Sequence, residues 1–137
     1  MPKFSQESFS KLSTCHPDLQ ALFYRVIQYR DCTILEGYRG QAQQDADFAA
    51  GRSKLKFPNG KHNSQPSNAV DVAPYPVPDF KRLEEFVYFG GFVLGIAEML
   101  YDEGKITHKI RYGADFNGND RVTDQPFIDA VHFEIIT

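Results

Sequence analysis

The sequence predicts an α+β domain in which helices pack on a small antiparallel sheet. Segments with helical and with strand periodicity follow one another in mixed order, without the regular strand and helix alternation that builds a parallel sheet. The chain has 137 residues, of which 42% are hydrophobic, and this is enough for one core. We therefore expect a single domain over residues 1–137.

The first half of the chain predicts two helices around one strand. Residues 17–27 place apolar side chains at helical spacing, and a proline suits the first turn. Residues 32–37 are short and rich in β-formers, so they predict a strand that ends just before Arg39. Residues 41–50 are rich in alanine and glutamine and stop at Gly51, which is typical of a helix with a glycine at its end.

The second half begins with a long polar loop. Residues 52–67 contain two prolines and an Asn-Gly pair, which predict irregular structure, and long loops in compact domains tend to be functional. Residues 68–76 alternate as a strand with Asp71 on the face opposite to the valines. A helix is predicted near residues 80–102, and its most apolar stretch, residues 86–100, is shorter than a membrane span and carries Glu98.

Two further strands are predicted at residues 106–113 and 131–136, and a polar loop separates them. In that loop Asp115, Asn117 and Asn119 occupy alternate positions, as calcium ligands do, but the glycine and glutamate of an EF-hand loop are missing. A calcium site there is one alternative that the sequence leaves open.

Composition excludes some classes of function. The net charge of −3 is spread without a basic run, so nucleic acid is not an expected partner. Cys15 and Cys32 are too few for a disulfide framework, and we interpret both as reduced and structural. The N-terminal residues lack the apolar segment of a secretory signal, so we expect a cytosolic monomer unless something else releases it.

Two histidines and two aspartates suggest metal chemistry. Catalytic zinc takes three ligands from His, Asp or Glu and leaves one position for water. His62 lies in the long loop, Asp71 on the strand after it, and His132 on the last strand, three residues after Asp129. Each alone has an ordinary explanation, as a solvated loop residue, a strand-end acceptor or a histidine on a sheet.

The sequences around these residues resemble a known family. KHNSQPSNAVDVAPYP and DAVHFEII are similar to the motifs of the M15 metallopeptidases, the group of D-alanyl-D-alanine carboxypeptidases and phage endolysins. The resemblance implies a Hedgehog/DD-peptidase-like fold. It also implies His62, Asp71 and His132 as ligands of one zinc ion, and Asp129 as the general base.

The resemblance extends upstream and covers most of the chain in the same order. EGYRGQAQQ matches the family's strand-end arginine and following glutamine, here Arg39 and Gln43, and RYGADFN resembles its Arg-aromatic-Gly segment. Arg39 is the expected partner of the oxyanion. Gln43 and Lys54 are expected to bind substrate, because stem peptides carry free carboxylates that charged and polar side chains can hold.

The sequence departs from the family's pattern at several positions. Eight residues lie between His62 and Asp71, more than is usual, and a loop absorbs such an insertion easily. Gly60 stands where a serine is common, which is expected to loosen the support of the histidine. Asp129 replaces a common glutamate, so the shorter base must lie nearer the water. His108 is outside every matched motif.

The resemblance implies a zinc-dependent peptidoglycan peptidase. Single-domain phage members of the family imply cleavage of the L-alanyl-D-glutamate bond of the stem peptide by an endolysin. Such an enzyme stays in the host cytoplasm until release and then acts on the wall in the periplasm. The alternatives are a cellular D,D- or L,D-carboxypeptidase, and a non-enzymatic zinc module of the Hedgehog type. Such a module would need neither Asp129 nor Arg39.

Overall fold

A computed structural model describes residues 2–137 of the chain. Helices and strands follow one another in irregular order, and the strands form one antiparallel sheet. The predicted α+β class is therefore confirmed. In chain order the elements are α1 (Gln6–Leu12), α2 (Pro17–Ile27), β1 (Cys32–Glu36), α3 (Gln41–Ala49), a 3-10 turn (Lys61–Asn63), β2 (Ala69–Pro74), α4 (Leu83–Asp102), β3 (Ile110–Tyr112) and β4 (His132–Ile135).

The sheet has the strand order β1-β2-β4-β3, and each neighbouring pair is antiparallel. β2 and β4 lie side by side in a register that places Asp71 opposite His132 and Val70 opposite Phe133. Because side chains alternate along a strand, the pair Asp71 and His132 lies on one face of the sheet and the pair Val70 and Phe133 on the other. The predicted proximity of the two strands is therefore confirmed.

The hydrophobic core lies between one face of the sheet and the helices α2 and α4. Phe133 of β4 packs edge-on against Phe23 and face-on against Tyr112, with ring centroids 5.4 and 4.8 Å apart. Gly90 lets α4 approach the sheet closely, since a Cβ atom there would lie 2.3 Å from the Tyr112 ring. The opposite face of the sheet is left for the polar side chains of β2 and β4.

Several predicted elements need correction in length. The strand predicted over 106–113 is confined to Ile110–Tyr112, because the backbone N–H groups of Thr107 and His108 donate to Asp18 instead of pairing with a strand. α1 was not predicted. α3 ends as predicted, with Gly51 just beyond it at a φ of 79°.

Cys15 and Cys32 are buried and free, which fits the predicted structural role. Burial raises the pKa of each thiol to about 12. Over residues 2–137, no helix combines the length and apolarity that crossing a bilayer requires.

Candidate active site

Three buried side chains from separate segments converge on the polar face of the sheet. His62 comes from the 3-10 turn, Asp71 from β2 and His132 from β4. His62 Nε2 lies 3.2 Å from Asp71 Oδ1 and 3.3 Å from His132 Nδ1, and the last two atoms are 3.4 Å apart. The structure thus brings together the three predicted metal ligands, and we call them the catalytic cluster.

The hydrogen bonds of both histidines show which ring nitrogens face the centre as acceptors. His62 Nδ1 lies 2.8 Å from the carbonyl oxygen of Gly37, which only accepts, so this nitrogen carries the proton. His132 Nε2 lies 2.8 Å from Glu134 Oε1. Burial raises the pKa of Glu134, but its hydrogen bond with His132 and the charges of His132, Lys61 and Arg111 together lower it, which keeps the carboxylate an acceptor.

With these protons directed outward, three lone pairs converge on one point. Ligands bound to zinc at about 2.0–2.1 Å in a tetrahedron are about 3.3 Å apart, which is the separation found in the catalytic cluster. The donor set of two imidazoles and one carboxylate is also typical of zinc. The residues present therefore fit a metal ion with an open fourth position.

The charges around the cluster favour a cation. Burial raises the pKa of Asp71, but the neighbouring His62 and His132 outweigh burial and hold this pKa well below its usual range. Burial lowers the pKa of His132, yet hydrogen bonds to Asp71 and Glu134 raise it to about 10. Without a metal, His132 is therefore protonated on both ring nitrogens, and its Nδ1 proton lies towards Asp71. A metal ion can displace this proton and bind the lone pair that it leaves.

Asp129 lies next to the cluster without being part of it. Its Oδ2 atom is 3.9 Å from His132 Nδ1, and 31% of its side chain is exposed to the adjoining cavity. Burial and the charge of Asp71 raise the pKa of Asp129. A carboxyl group with a raised pKa beside an open metal position is suited to accept and return a proton.

The Arg-aromatic-Gly segment supports this arrangement from the neighbouring strand β3. Gly113 donates to the carbonyl of His132 and accepts from the amide of Asp129, at 2.7 and 2.9 Å. A Cβ atom at Gly113 would lie 2.1 Å from the Asp129 carbonyl oxygen, so only glycine allows this approach. The Tyr112 hydroxyl contacts the carbonyl of Ala130, and Arg111 Nη1 lies 3.4 Å from Glu134 Oε2.

Arg39 forms the other side of the site. Its guanidinium donates to both carboxylate oxygens of Glu36, at 2.8 and 2.7 Å, and to Gln44 Oε1 at 2.9 Å. Nη2 is also 3.8 Å from Asp71 Oδ2. These bonds occupy three of the five N–H groups of the arginine side chain. The guanidinium is therefore held rigidly and still has free donors beside the cluster.

The structure places the side chain of Gln43 outside the cavity beside the cluster. This side chain donates to Asp47 at 2.8 Å. The neighbouring Gln44 lines the cavity instead, is 1% exposed, accepts from Arg39 and donates to Ser53. Adjacent glutamines on a helix point in different directions, and the sequence did not indicate which of the two faces inward.

Gly60 belongs to a tightly bonded loop, so the expected loosening is not seen. Asn63 Oδ1 accepts from the Gly60 amide at 2.8 Å, and Asn63 Nδ2 donates to the carbonyl of Arg39 at 2.9 Å. A Cβ atom at Gly60 would lie 2.7 Å from Asn63 Oδ1 and 3.0 Å from Gln44 Oε1. Asparagine thus fills the space that a longer residue would need.

A cavity of about 330 Å³ opens beside the catalytic cluster. Basic side chains dominate its charge, and Lys54 is among them as predicted; the others are Arg39, Arg52 and Lys61. Phe116 and Phe127 stack at 6.3 Å and form an apolar wall, over which Lys54 Nζ lies 5.5 Å from the Phe127 ring. Such a cavity suits a peptide that carries carboxylates.

Besides Gln44, three residues that line this cavity were not predicted as site residues: Glu134, Phe116 and Phe127. The sequence contains an indication for Glu134, since strand alternation places it on the same face as His132. No periodic pattern indicates Phe116 or Phe127, because both lie in an irregular loop.

The remaining predicted ligands lie elsewhere. Asp115 accepts from the backbone amides of Asn119 and Asp120, at 3.2 and 2.8 Å, and so closes a turn in its loop. The calcium site at Asp115, Asn117 and Asn119 stays a prediction. His108 lies with His16 and Asp18, away from the catalytic cluster.

Comparison with known proteins agrees with the geometry. A family model described as phage L-alanyl-D-glutamate peptidase matches residues 1–136. The L-alanyl-D-glutamate peptidase of Escherichia phage T5 is 32% identical over 143 residues, which cover 98% of each chain. The crystal structure of the L-Ala D-Glu endopeptidase ChiX of Serratia marcescens has the same fold, with a TM-score of 0.72 at 20% identity, over 98% of this chain and 90% of that one.

The fold, the polar cluster and these relatives define a hydrolase of the peptidase class. Because the family model spans nearly the whole chain, and the phage relative does too, the chain belongs to the phage L-alanyl-D-glutamate peptidase family.

Proposed function

We propose that the protein is a zinc-dependent phage endolysin of the wider M15 group that cleaves the L-alanyl-D-glutamate bond of peptidoglycan stem peptides. The observation that carries the proposal is the catalytic cluster, in which three lone pairs converge beside Asp129 and a basic cavity. The activity named for the phage T5 relative supports the choice of bond.

His62 Nε2, Asp71 Oδ1 and His132 Nδ1 would hold the zinc ion. When bound, zinc supplies a Lewis acid that lowers the pKa of a water molecule in the open position. Gly37 and Glu134 fix the two imidazole rings through the outward hydrogen bonds, so the ligands are oriented before the metal arrives.

Asp129 is the proposed general base. Its carboxylate lies 3.9 Å from His132 Nδ1, where it would take a proton from the attacking water and return it to the leaving amine. The raised pKa of this buried carboxyl group suits both the uptake of the proton from water and its return to the amine. A closed structural zinc site needs no such group, so Asp129 favours the enzyme over the non-enzymatic module.

Arg39 is proposed to stabilise the oxyanion that develops as water adds to the scissile carbonyl. Its bonds to Glu36 and Gln44 hold the guanidinium in place before the reaction, so little reorganisation is needed. Lys54 is proposed to bind a carboxylate of the stem peptide by a charge-assisted hydrogen bond.

The biological setting is part of the proposal. We propose that the protein is a monomer that accumulates in the host cytoplasm and acts on the wall after release. A cellular carboxypeptidase is the alternative, since the same chemistry would remove a terminal residue.

Mass analysis of muropeptides tests the proposal. Zinc-loaded protein is incubated with purified sacculi of a Gram-negative bacterium, and a chelator-treated sample serves as the control. We expect free peptides that begin with D-glutamate and glycan that retains L-alanine. Release of D-alanine alone would instead identify a carboxypeptidase, and intact muropeptides would refute the peptidase.

A further inference from the structure

A second concavity lies at the far end of β2, where this strand leads away from the catalytic cluster. Its volume is about 730 Å³, larger than that of the cavity at the cluster. The end of α2, the segment after β2 and the start of α4 form its walls. Tyr29, Tyr75 and Tyr88 line it, one from each segment, and we call it the tyrosine groove.

The three tyrosines are unusually exposed for large aromatic side chains. Their exposed fractions are 65% for Tyr29, 58% for Tyr75 and 70% for Tyr88. Aromatic residues that gather in one exposed concavity mark binding surfaces more often than single exposed ones. The Arg30 guanidinium lies 5.1 Å from the centroid of the Tyr88 ring, which helps to hold that ring in place.

The charge of the tyrosine groove differs from that of the catalytic cavity. Glu84 and Glu85 lie along the groove with side chains 72% and 43% exposed, and both carboxylates also pair with Arg82 just before α4. Asp31 adds a third carboxylate. Arg30 is the one basic residue among the lining side chains, whereas four basic residues line the catalytic cavity. With Arg30 and Arg82 beside these three carboxylates, the groove keeps a small excess of negative charge and offers carboxylate oxygens as acceptors to a ligand rich in hydroxyl groups.

We propose that the tyrosine groove binds the glycan strand of peptidoglycan. This inference rests on the proposed function, because peptidoglycan joins an anionic peptide to an uncharged chain of N-acetylated sugars. The apolar faces of the sugar rings pack on the tyrosines, and Glu84 and Glu85 accept hydrogen bonds from their hydroxyl groups. The two concavities thus match the two chemical parts of one polymer, and the groove holds the enzyme on the wall.

Direct binding tests the groove without requiring cleavage. The probe is chitohexaose, an oligomer of β-1,4-linked N-acetylglucosamine that carries no peptide, and NMR titration of the intact protein follows binding. We expect shifts at the groove and an affinity at least about fivefold lower in the double variant Tyr75→Ala/Tyr88→Ala. Tyr101→Ala is the matched control, since it removes an exposed tyrosine of α4 outside the groove.

Kinetics on two substrates give the second test. The double variant should cleave a soluble peptide containing the L-alanyl-D-glutamate bond at the parental rate, but show a KM on sacculi raised at least about fivefold. Equal losses on both substrates would place the effect at the catalytic site and overturn the proposal.

Other occupants would give different results. No binding of chitohexaose by the parent would overturn the proposal. Self-association that Tyr88→Ala abolishes would overturn it as well, by assigning the groove to a second copy of the chain. If the parent bound chitohexaose but cleaved neither substrate, the proposed function would fail while the glycan site stood.

Discussion

Residues 2–137 contain two clusters of two histidines and one aspartate, and the clusters differ in the direction of their hydrogen bonds. In the catalytic cluster and in a second set formed by His16, Asp18 and His108, the potential ligand atoms lie within 4.8 Å of one another. We call the second set the capping cluster. Residue types and distances alone do not distinguish the two.

In the capping cluster, acceptor atoms are occupied by hydrogen bonds within the protein. Asp18 Oδ2 accepts four hydrogen bonds, from the amide and hydroxyl of Thr107 and from the amide and Nδ1 of His108, at 2.8 to 3.0 Å. His16 Nδ1 accepts from the Asp18 amide and caps the start of α2. Four N–H or O–H groups donate into this cluster, whereas in the catalytic cluster the bonds of His62 Nδ1 and His132 Nε2 point outward and leave one inward proton for a metal ion to displace. We infer that hydrogen-bond direction, more than composition, decides which set suits a metal.

The largest contrast is expected from removing one histidine of each cluster. His132→Ala should lower zinc content from about one ion per chain to near zero and reduce hydrolysis of sacculi at least about a thousandfold, because the metal is then lost. His108→Ala should retain both. Metal analysis and turbidity assays on the same preparations measure the two effects, and similar zinc loss in both variants would contradict the distinction between the clusters.

Asp129→Asn is expected to separate chemistry from metal binding. Asparagine keeps the size of the side chain but does not accept the proton of the water, so hydrolysis should fall about a hundredfold or more. Zinc content and thermal stability should stay near the parental values, since Asp129 is not a ligand. Loss of zinc together with activity would show that the carboxylate binds the metal and that the cluster has a fourth ligand.

Glu134→Gln should have a smaller effect, because it changes the orientation of a ligand without removing it. The amide binds His132 Nε2 less strongly than the carboxylate and fixes the tautomer less firmly, so zinc affinity should fall about 10–100-fold. Competition with a zinc chelator measures this change. At saturating zinc, activity should recover largely, and a loss that zinc does not restore would point to a direct role of Glu134 in catalysis.

The sequence predicted the catalytic cluster well because its residues occur in ordered local motifs. The segments around His62, Asp71 and His132 resemble the motifs of the M15 metallopeptidases, and strand alternation placed Asp71 on the face opposite to the valines. It did not predict that Asp18 draws the amides of Thr107 and His108 away from a strand, since this contact joins residues about 90 positions apart. Gln44 was missed for a different reason. The sequence does not show which side of α3 faces the cavity, and this orientation distinguishes Gln44 from Gln43.

The capping cluster offers the last and smallest test, on stability alone. Burial raises the pKa of Asp18, but the hydrogen bonds from His108 and Thr107 outweigh it, and the pKa is lowered overall. A lowered pKa in the folded state means that ionised Asp18 stabilises the protein above its unfolded pKa of about 3.9, and that this stabilisation disappears as the pH falls through the folded value.

Asp18→Asn should therefore reduce the free energy of unfolding by about 1–3 kcal/mol at pH 7, while zinc content and hydrolysis stay at the parental level. Chemical denaturation of both metal-free proteins in a chelating buffer measures the difference. It should shrink as the pH is lowered below about 4, where the parental carboxyl becomes protonated too. A difference that persisted at low pH would show that the carboxylate charge does not stabilise the capping cluster. Its role would then be one of shape and packing, and the contrast between the clusters would rest on the metal alone.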